Sequence, residues 1–314
     1  MNLENLQRHI RHLDPSVPSG TSDIERDYFR YYGLDFEERF DDVTHHFGHF
    51  PCDRFEIVAH YFEHKNAIET CFILHGYFDH SGLYGHLIEY CLKRNFSVVI
   101  YDLPGHGLST GERSSIGDFA EYQRVLEHVL VFFKDHAPRP WYGIGQSTGA
   151  AILMDFLLSG GEDIFTKTVL LAPLVRPGHW QLSRVVHSIG KWFLKNVRRE
   201  FAINSHDTKF LEFIESSDPL QSRVLSVQWV TALKCWLKYF KRLPGIIYVP
   251  LVVQGQEDKT VDWQYNMPVV KEKFNSAKFF YIKNGRHQLV NESEEIRRLM
   301  FSAMDVYLGV YSRD

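Results

Sequence analysis

Trp141-Tyr142-Gly143-Ile144-Gly145-Gln146-Ser147-Thr148-Gly149 is the stretch that decides how this chain is read. It contains Gly-x-Ser-x-Gly, and its flanks suit that motif. The apolar run from Pro140 to Ile144 leads in as a short buried strand would. Ala150, Ala151, Ile152, Leu153, Met154, Phe156, Leu157 and Leu158 lead out with the density of a buried helix. Strand, tight turn and helix form the setting in which a serine hydroxyl is lifted clear of a sheet edge. With Gly and Ser each near about 7% of residues, three fixed positions match by chance in roughly one of ten chains this long. The motif therefore needs support from the rest of the sequence.

Outward from the motif, strand-like runs recur. The pattern turns strand-like from about His45, and 55–62, 70–74, 97–101, 141–144, 168–171, 251–253 and 278–282 read as strands. Several are short and wholly apolar, as strands buried on both faces are. Residues 83–93, 117–134, 150–159, 264–274 and 292–308 carry apolar positions at helical spacing. Alternating strands and helices imply an α/β fold with a mostly parallel, doubly wound sheet. The alternation lapses between about Val175 and Pro244, where only helix-like pieces are expected. This predicts an inserted helical cap at 175–244, a core made of 43–174 and 245–314, and an N-terminal extension at 1–42 with short helices.

Composition narrows the function. Net charge is −4 over 314 residues, which gives no global signal for nucleic acid. Cys52, Cys71, Cys91 and Cys235 are widely spaced and read as reduced thiols. The first residues hold no apolar signal segment, and no run of 18 apolar residues occurs. The expectation is a cytoplasmic protein, with peripheral membrane contact left open. Nothing in the sequence speaks to oligomeric state.

A serine hydroxyl is a poor nucleophile until a base takes its proton, and the base needs an acid to orient it. In sheets of this kind the order is Ser, acid, His, each on a loop at the C-terminal edge. Asp258, in Gly255-Gln256-Glu257-Asp258 just after the strand-like 251–253, is the acid candidate, with Glu257 and Asp262 as alternatives. His287, in Asn284-Gly285-Arg286-His287-Gln288-Leu289 after the last strand, is the base candidate among 17 histidines. Attack also creates an oxyanion that needs two fixed N–H donors. These are expected from the backbone of Thr148 and of Tyr77, the latter in His75-Gly76-Tyr77-Phe78-Asp79-His80-Ser81-Gly82. His75 reads as a structural hydrogen-bonding group. His75, Asp79 and His80 lack metal-ligand spacing. The chemistry calls for no cofactor and no metal.

Together, His75-Gly76…His80-Ser81, Asp102-Leu103-Pro104-Gly105-His106-Gly107-Leu108-Ser109, Gly145-Gln146-Ser147-Thr148-Gly149 and Gly255-Gln256-Glu257-Asp258 resemble the monoacylglycerol lipase and bacterial lysophospholipase branch of the α/β-hydrolase superfamily. Arg286-His287-Gln288-Leu289-Val290-Asn291-Glu292 is similar to the lysophospholipase form of the histidine loop. The resemblance covers roughly residues 45–310 and implies an α/β-hydrolase fold. It also implies a cap that covers the site and forms the acyl pocket. Trp180, Trp192, Trp229 and Trp236, with Phe193 and Tyr239, are candidates to line that pocket. Segment 175–244 holds twelve Lys or Arg against five acids, and Lys234, Lys238, Lys241 and Arg242 sit at roughly helical spacing. They could attract an anionic phosphate or a membrane surface, or simply form a solvated helix face. The expected activity is hydrolysis of acyl esters of lipid-like small molecules, such as lysophospholipids or monoacylglycerols. A peptidase or thioesterase on the same triad is the alternative, and a non-catalytic binding homologue is the reading from a different class.

Overall fold

The computed structural model describes residues 3–17, 22–178, 180 and 194–310. Trp192 and its neighbours Lys191 and Phe193 lie outside the described residues.

The first six strands are β1 Val43–Cys52, β2 Phe55–His64, β3 Thr70–Leu74, β4 Ser97–Tyr101, β5 Trp141–Gln146 and β6 Lys167–Leu171. β7 Asn196–Arg198 and β8 Val224–Ser226 pair with each other as a separate antiparallel ribbon. β9 Leu251–Gly255 and β10 Lys278–Ile282 complete the main sheet. Its order is β1-β2-β4-β3-β5-β6-β9-β10. β3, β4, β5, β6, β9 and β10 run parallel, while β1 and β2 form an antiparallel hairpin at one edge. This is the mostly parallel, doubly wound sheet expected of an α/β-hydrolase fold.

Every residue of β3, β4, β5 and β9 is buried. Strand side chains alternate in direction, so each strand feeds two cores. Phe72 and Leu74 join one apolar cluster with Val99 and Trp141, whereas Ile73 joins the other with Ile100, Ile144 and Val253. From β3 the chain winds to β4 on one side, then crosses back to β5 on the other. The loops after β3 and β5 thus lie side by side where the winding reverses, which opens a crevice at the C-terminal edge.

Helices α1 Leu3–His9 and α2 Asp23–Tyr32 belong to the N-terminal extension. Leu6, Tyr28, Phe29 and Phe36 are buried in the same cluster as Val58 and Phe62 of β2. The extension is therefore part of the core. α3 Gly85–Leu92, α4 Phe119–Phe132 and α5 Thr148–Phe156 follow, then α6 Thr208–Glu212, α7 Val227–Phe240, α8 Trp263–Lys273 and α9 Glu294–Leu308. Among the described residues, no helix is long and apolar enough to cross a membrane.

The expectation that 175–244 holds no strand is corrected by β7 and β8. Each has three residues, too few for a period of two to show in sequence. β1 occupies the stretch where the pattern turns strand-like, from about His45, although its Pro51 and histidines obscure the apolar alternation that would bound it.

Candidate active site

Ser147 follows β5 directly and stands at φ 53, ψ −110, outside the regions open to an L-residue without strain. Its surroundings fix it there. Its N–H donates to Leu171 O at 2.9 Å, and its carbonyl accepts from Ala151 N at 3.0 Å and Leu174 N at 3.2 Å. The glycines of the motif have a packing reason. A Cβ at Gly149 would stand 2.1 Å from Leu74 O, and one at Gly145 would stand 2.6 Å from Gly149 O. Any side chain at either position would push α5 off the sheet.

Asp258 and His287 come from the loops after β9 and β10. His287 Nδ1 donates to Asp258 Oδ2 at 2.7 Å, with both side chains buried. The other carboxylate oxygen, Oδ1, accepts from Thr260 N at 2.8 Å and Val261 N at 3.0 Å, which locks the acid's orientation. The neighbouring acids serve elsewhere. Asp262 caps α8 and pairs with Arg176, and Glu257 is exposed. Burial pulls the His287 pKa down. The charge and hydrogen bond of Asp258, with the charge of Asp79, outweigh burial and hold it above its ordinary 6.5.

The loop after β3 passes against the serine, since a Cβ at Gly76 would be 3.4 Å from Ser147 Cβ. Tyr77 is the next residue. Thr148 is the first residue of α5, so its N–H belongs to the first turn, where a helix leaves donors without internal partners. Tyr77 stacks on Trp229 with ring centroids 3.8 Å apart, and its hydroxyl donates to Ser114 O. His75 sits behind the loop, donating to Gly76 O from Nδ1 and accepting Leu103 N–H at Nε2. Asp102 ties the neighbouring loop, accepting from Ser81 and from Leu108 N.

A buried network that sequence reasoning missed joins these loops. Gln146 donates to Gln288 Oε1 and accepts from Val290 N. Gln288 donates in turn to Asp79 Oδ1 at 2.8 Å. Tyr84 OH donates to Asp79 Oδ2 and accepts from Gly76 N. The serine's neighbour, the histidine's neighbour and the loop beside them are thus braced against one another. Burial raises the Asp79 carboxyl above its usual range, while Gln288, Tyr84 and the Arg199 charge pull it back.

Ser147, Thr148, Tyr77 and His287 all line one cavity of about 640 Å³. Its walls are largely apolar, with Leu174, Trp180, Val227, Trp229, Val230 and Leu233 among them. Of the tryptophans named from the sequence, Trp180 and Trp229 line this cavity. Trp236 does not. It lines a different cavity, packs on Phe119 and Phe240, and donates to Asp155 Oδ2. It lies two turns beyond Trp229 on α7, roughly 10 Å along the axis. Arg199 also faces this cavity, although no sequence motif marks it.

A family model described as "Serine aminopeptidase, S33" matches residues 65–294. Monoglyceride lipase from Homo sapiens is 26% identical over 76% of this chain and 81% of its own length. Phospholipase YtpA from Bacillus subtilis (strain 168) is 24% identical over 76% of this chain and 94% of its own. A soluble variant of monoglyceride lipase from Saccharomyces cerevisiae, solved with a substrate analog, shares the fold with TM-score 0.70 at 14% identity. That likeness covers 84% of this chain and 95% of that one. The chain belongs to the serine aminopeptidase S33 family and has the α/β-hydrolase fold.

Proposed function

We propose that this protein hydrolyses acyl esters of lipid-like molecules, lysophospholipids or monoacylglycerols, through an acyl-enzyme on Ser147. The observation that carries the reading is the buried His287–Asp258 pair, 2.7 Å apart, with His287 lining the same apolar cavity as Ser147. Nδ1 is engaged by Asp258, which leaves Nε2 to act as the base. Ser147 Oγ attacks the ester carbonyl and His287 takes its proton. The backbone N–H groups of Tyr77 and Thr148 hold the oxyanion. The tetrahedral species collapses, His287 returns the proton to the departing alcohol, and the acyl group stays on Ser147. Water then enters with His287 again as base, releasing the fatty acid. Segment 175–244 serves as the cap. Trp180, Trp229 and their aliphatic neighbours give an acyl chain an apolar wall, which favours lipid esters over polar ones.

The family description favours a second reading, amide hydrolysis, because the same machinery serves peptides. A panel separates them: monoacylglycerols, lysophospholipids, acyl-CoA thioesters and aminoacyl amides at matched concentrations. The ester reading predicts kcat/KM highest for the long-chain esters. A preference for the aminoacyl amides would overturn it.

A further inference from the structure

Arg199 is the cation of the catalytic cavity, and its surroundings are built for an anion. Its guanidinium is sandwiched between the rings of Phe78 and Phe201, with centroids 4.0 Å and 4.3 Å away. Phe78 is the residue after Tyr77 and stands at φ 72. The cation is therefore fixed beside the loop that passes Ser147. Nη1 donates to Gln221 Oε1 at 2.6 Å and to Ser222 O at 3.2 Å. The Nε and Nη2 groups, which form the edge that grips two oxygens at once, have no hydrogen-bond partner among the described residues. Nor does Arg199 form an ion pair among them.

Neither acid facing the same cavity forms an ion pair with this cation, although the charge of Asp79 acts on it from a distance. Asp79 is held by Gln288 and Tyr84, and Glu200 is exposed. A second cation adds to it. Arg199 N–H donates to Arg223 O at 2.9 Å where the β7–β8 ribbon continues, and the Arg223 guanidinium also lies over Phe201, at 4.9 Å. Like charges side by side on adjacent strands repel. Burial, together with Arg223, pulls the Arg199 pKa down to about 10 against the opposing charges of Asp79 and Asp218. At neutral pH the group is still charged, largely removed from water, and without a counter-ion in contact among the described residues. An anion at the Nε–Nη2 edge would supply one.

We infer that Arg199 is a specificity-determining residue that receives the phosphate on the alcohol side of the scissile ester, so that the favoured substrates are acyl glycerophosphates and their diesters rather than neutral monoacylglycerols. This rests on the ester-hydrolase reading above and narrows it.

The test compares esters of one acyl chain: monoacylglycerol, 1-acylglycerol 3-phosphate and lysophosphatidylcholine. Each is assayed with wild type, Arg199→Lys and Arg199→Gln. The expected result is a fall of about 10- to 100-fold in the ratio of kcat/KM for phosphate-bearing to neutral ester in Arg199→Gln, with Arg199→Lys in between. An unchanged ratio, or equal losses on all three esters, would overturn the inference and leave Arg199 as a prop for Phe78. Binding gives an independent readout. In a Ser147→Ala background, Arg199→Gln should weaken titrated 1-acylglycerol 3-phosphate by a similar factor. Inorganic phosphate binding as tightly as the lipid would make this a free-phosphate site and would also overturn it. If wild type cleaves none of the esters while the binding loss persists, the ester reading fails and the phosphate site stands.

Discussion

At the scale of single residues, the site is a balance of buried charges. His287 is buried, which alone would favour its neutral ring, yet Asp258 and Asp79 favour the charged one and win. General-base catalysis needs the neutral ring. Activity should therefore fall as pH drops, with an inflection in kcat/KM above the ordinary histidine value of 6.5. For folding the sign is opposite. A raised pKa stabilises the protein fully below the unfolded value and ceases to do so as pH rises through the folded one. Asp258→Asn should lower kcat on the order of 10⁴-fold, because the ring loses its tautomer and its counter-charge. Its residual activity should titrate at lower pH than wild type. A wild-type inflection below 6.5 would contradict this account of the pair.

At the scale of elements, the N-terminal helix, the loop after β3 and segment 175–244 meet at one buried ion pair. His80 Nε2 and Asp218 Oδ2 are 2.9 Å apart with both side chains fully buried. Tyr32 OH at the end of α2 donates to Asp218 Oδ1, and Tyr31 OH donates to Ser217 O. Burial opposes both charges. The Asp218 carboxyl is nevertheless held at about 2 by His80, Tyr32 and Leu220 N–H, and His80 is raised by Asp218 and two further acids. The junction contributes most between the unfolded values of 3.8 and 6.5. It weakens as pH falls toward 2, where Asp218 protonates, and as pH rises through the raised His80 value. Asp218→Asn should cost on the order of 3–5 kcal/mol at pH 5, since breaking a buried pair strands its partner. Urea unfolding should show a smaller penalty at pH 9. Equal penalties at both would show that the charges contribute nothing beyond the hydrogen bond.

At the scale of the whole molecule, the sequence reveals what is local and conceals what is distant. The buried parallel strands are legible because runs such as Ser97–Tyr101 are unbroken, and the elbow is legible because its glycines crowd one turn. The proposed triad of Ser147, Asp258 and His287 could be singled out because each sits just past a strand end. The brace through Gln288 and Asp79 is not, since those residues are 209 positions apart and nothing in either loop's sequence says that the two side chains meet. The bounds of β1 hide for a different reason. Its His45 is satisfied by His60 across the hairpin at 2.9 Å, so two polar residues occupy core positions. Arg199 escapes notice because one arginine among the twelve Lys and Arg of 175–244 carries no mark of direction. The core and the N-terminal extension together place one strained serine and one paired histidine on the wall of the same cavity.

The most direct test of that claim is covalent labelling of Ser147. The folded protein is incubated with a fluorophosphonate beside Ser147→Ala, and both are followed by intact mass. The account predicts a single adduct on wild type and none on the variant. An unlabelled wild type, or equal labelling of Ser147→Ala, would contradict it.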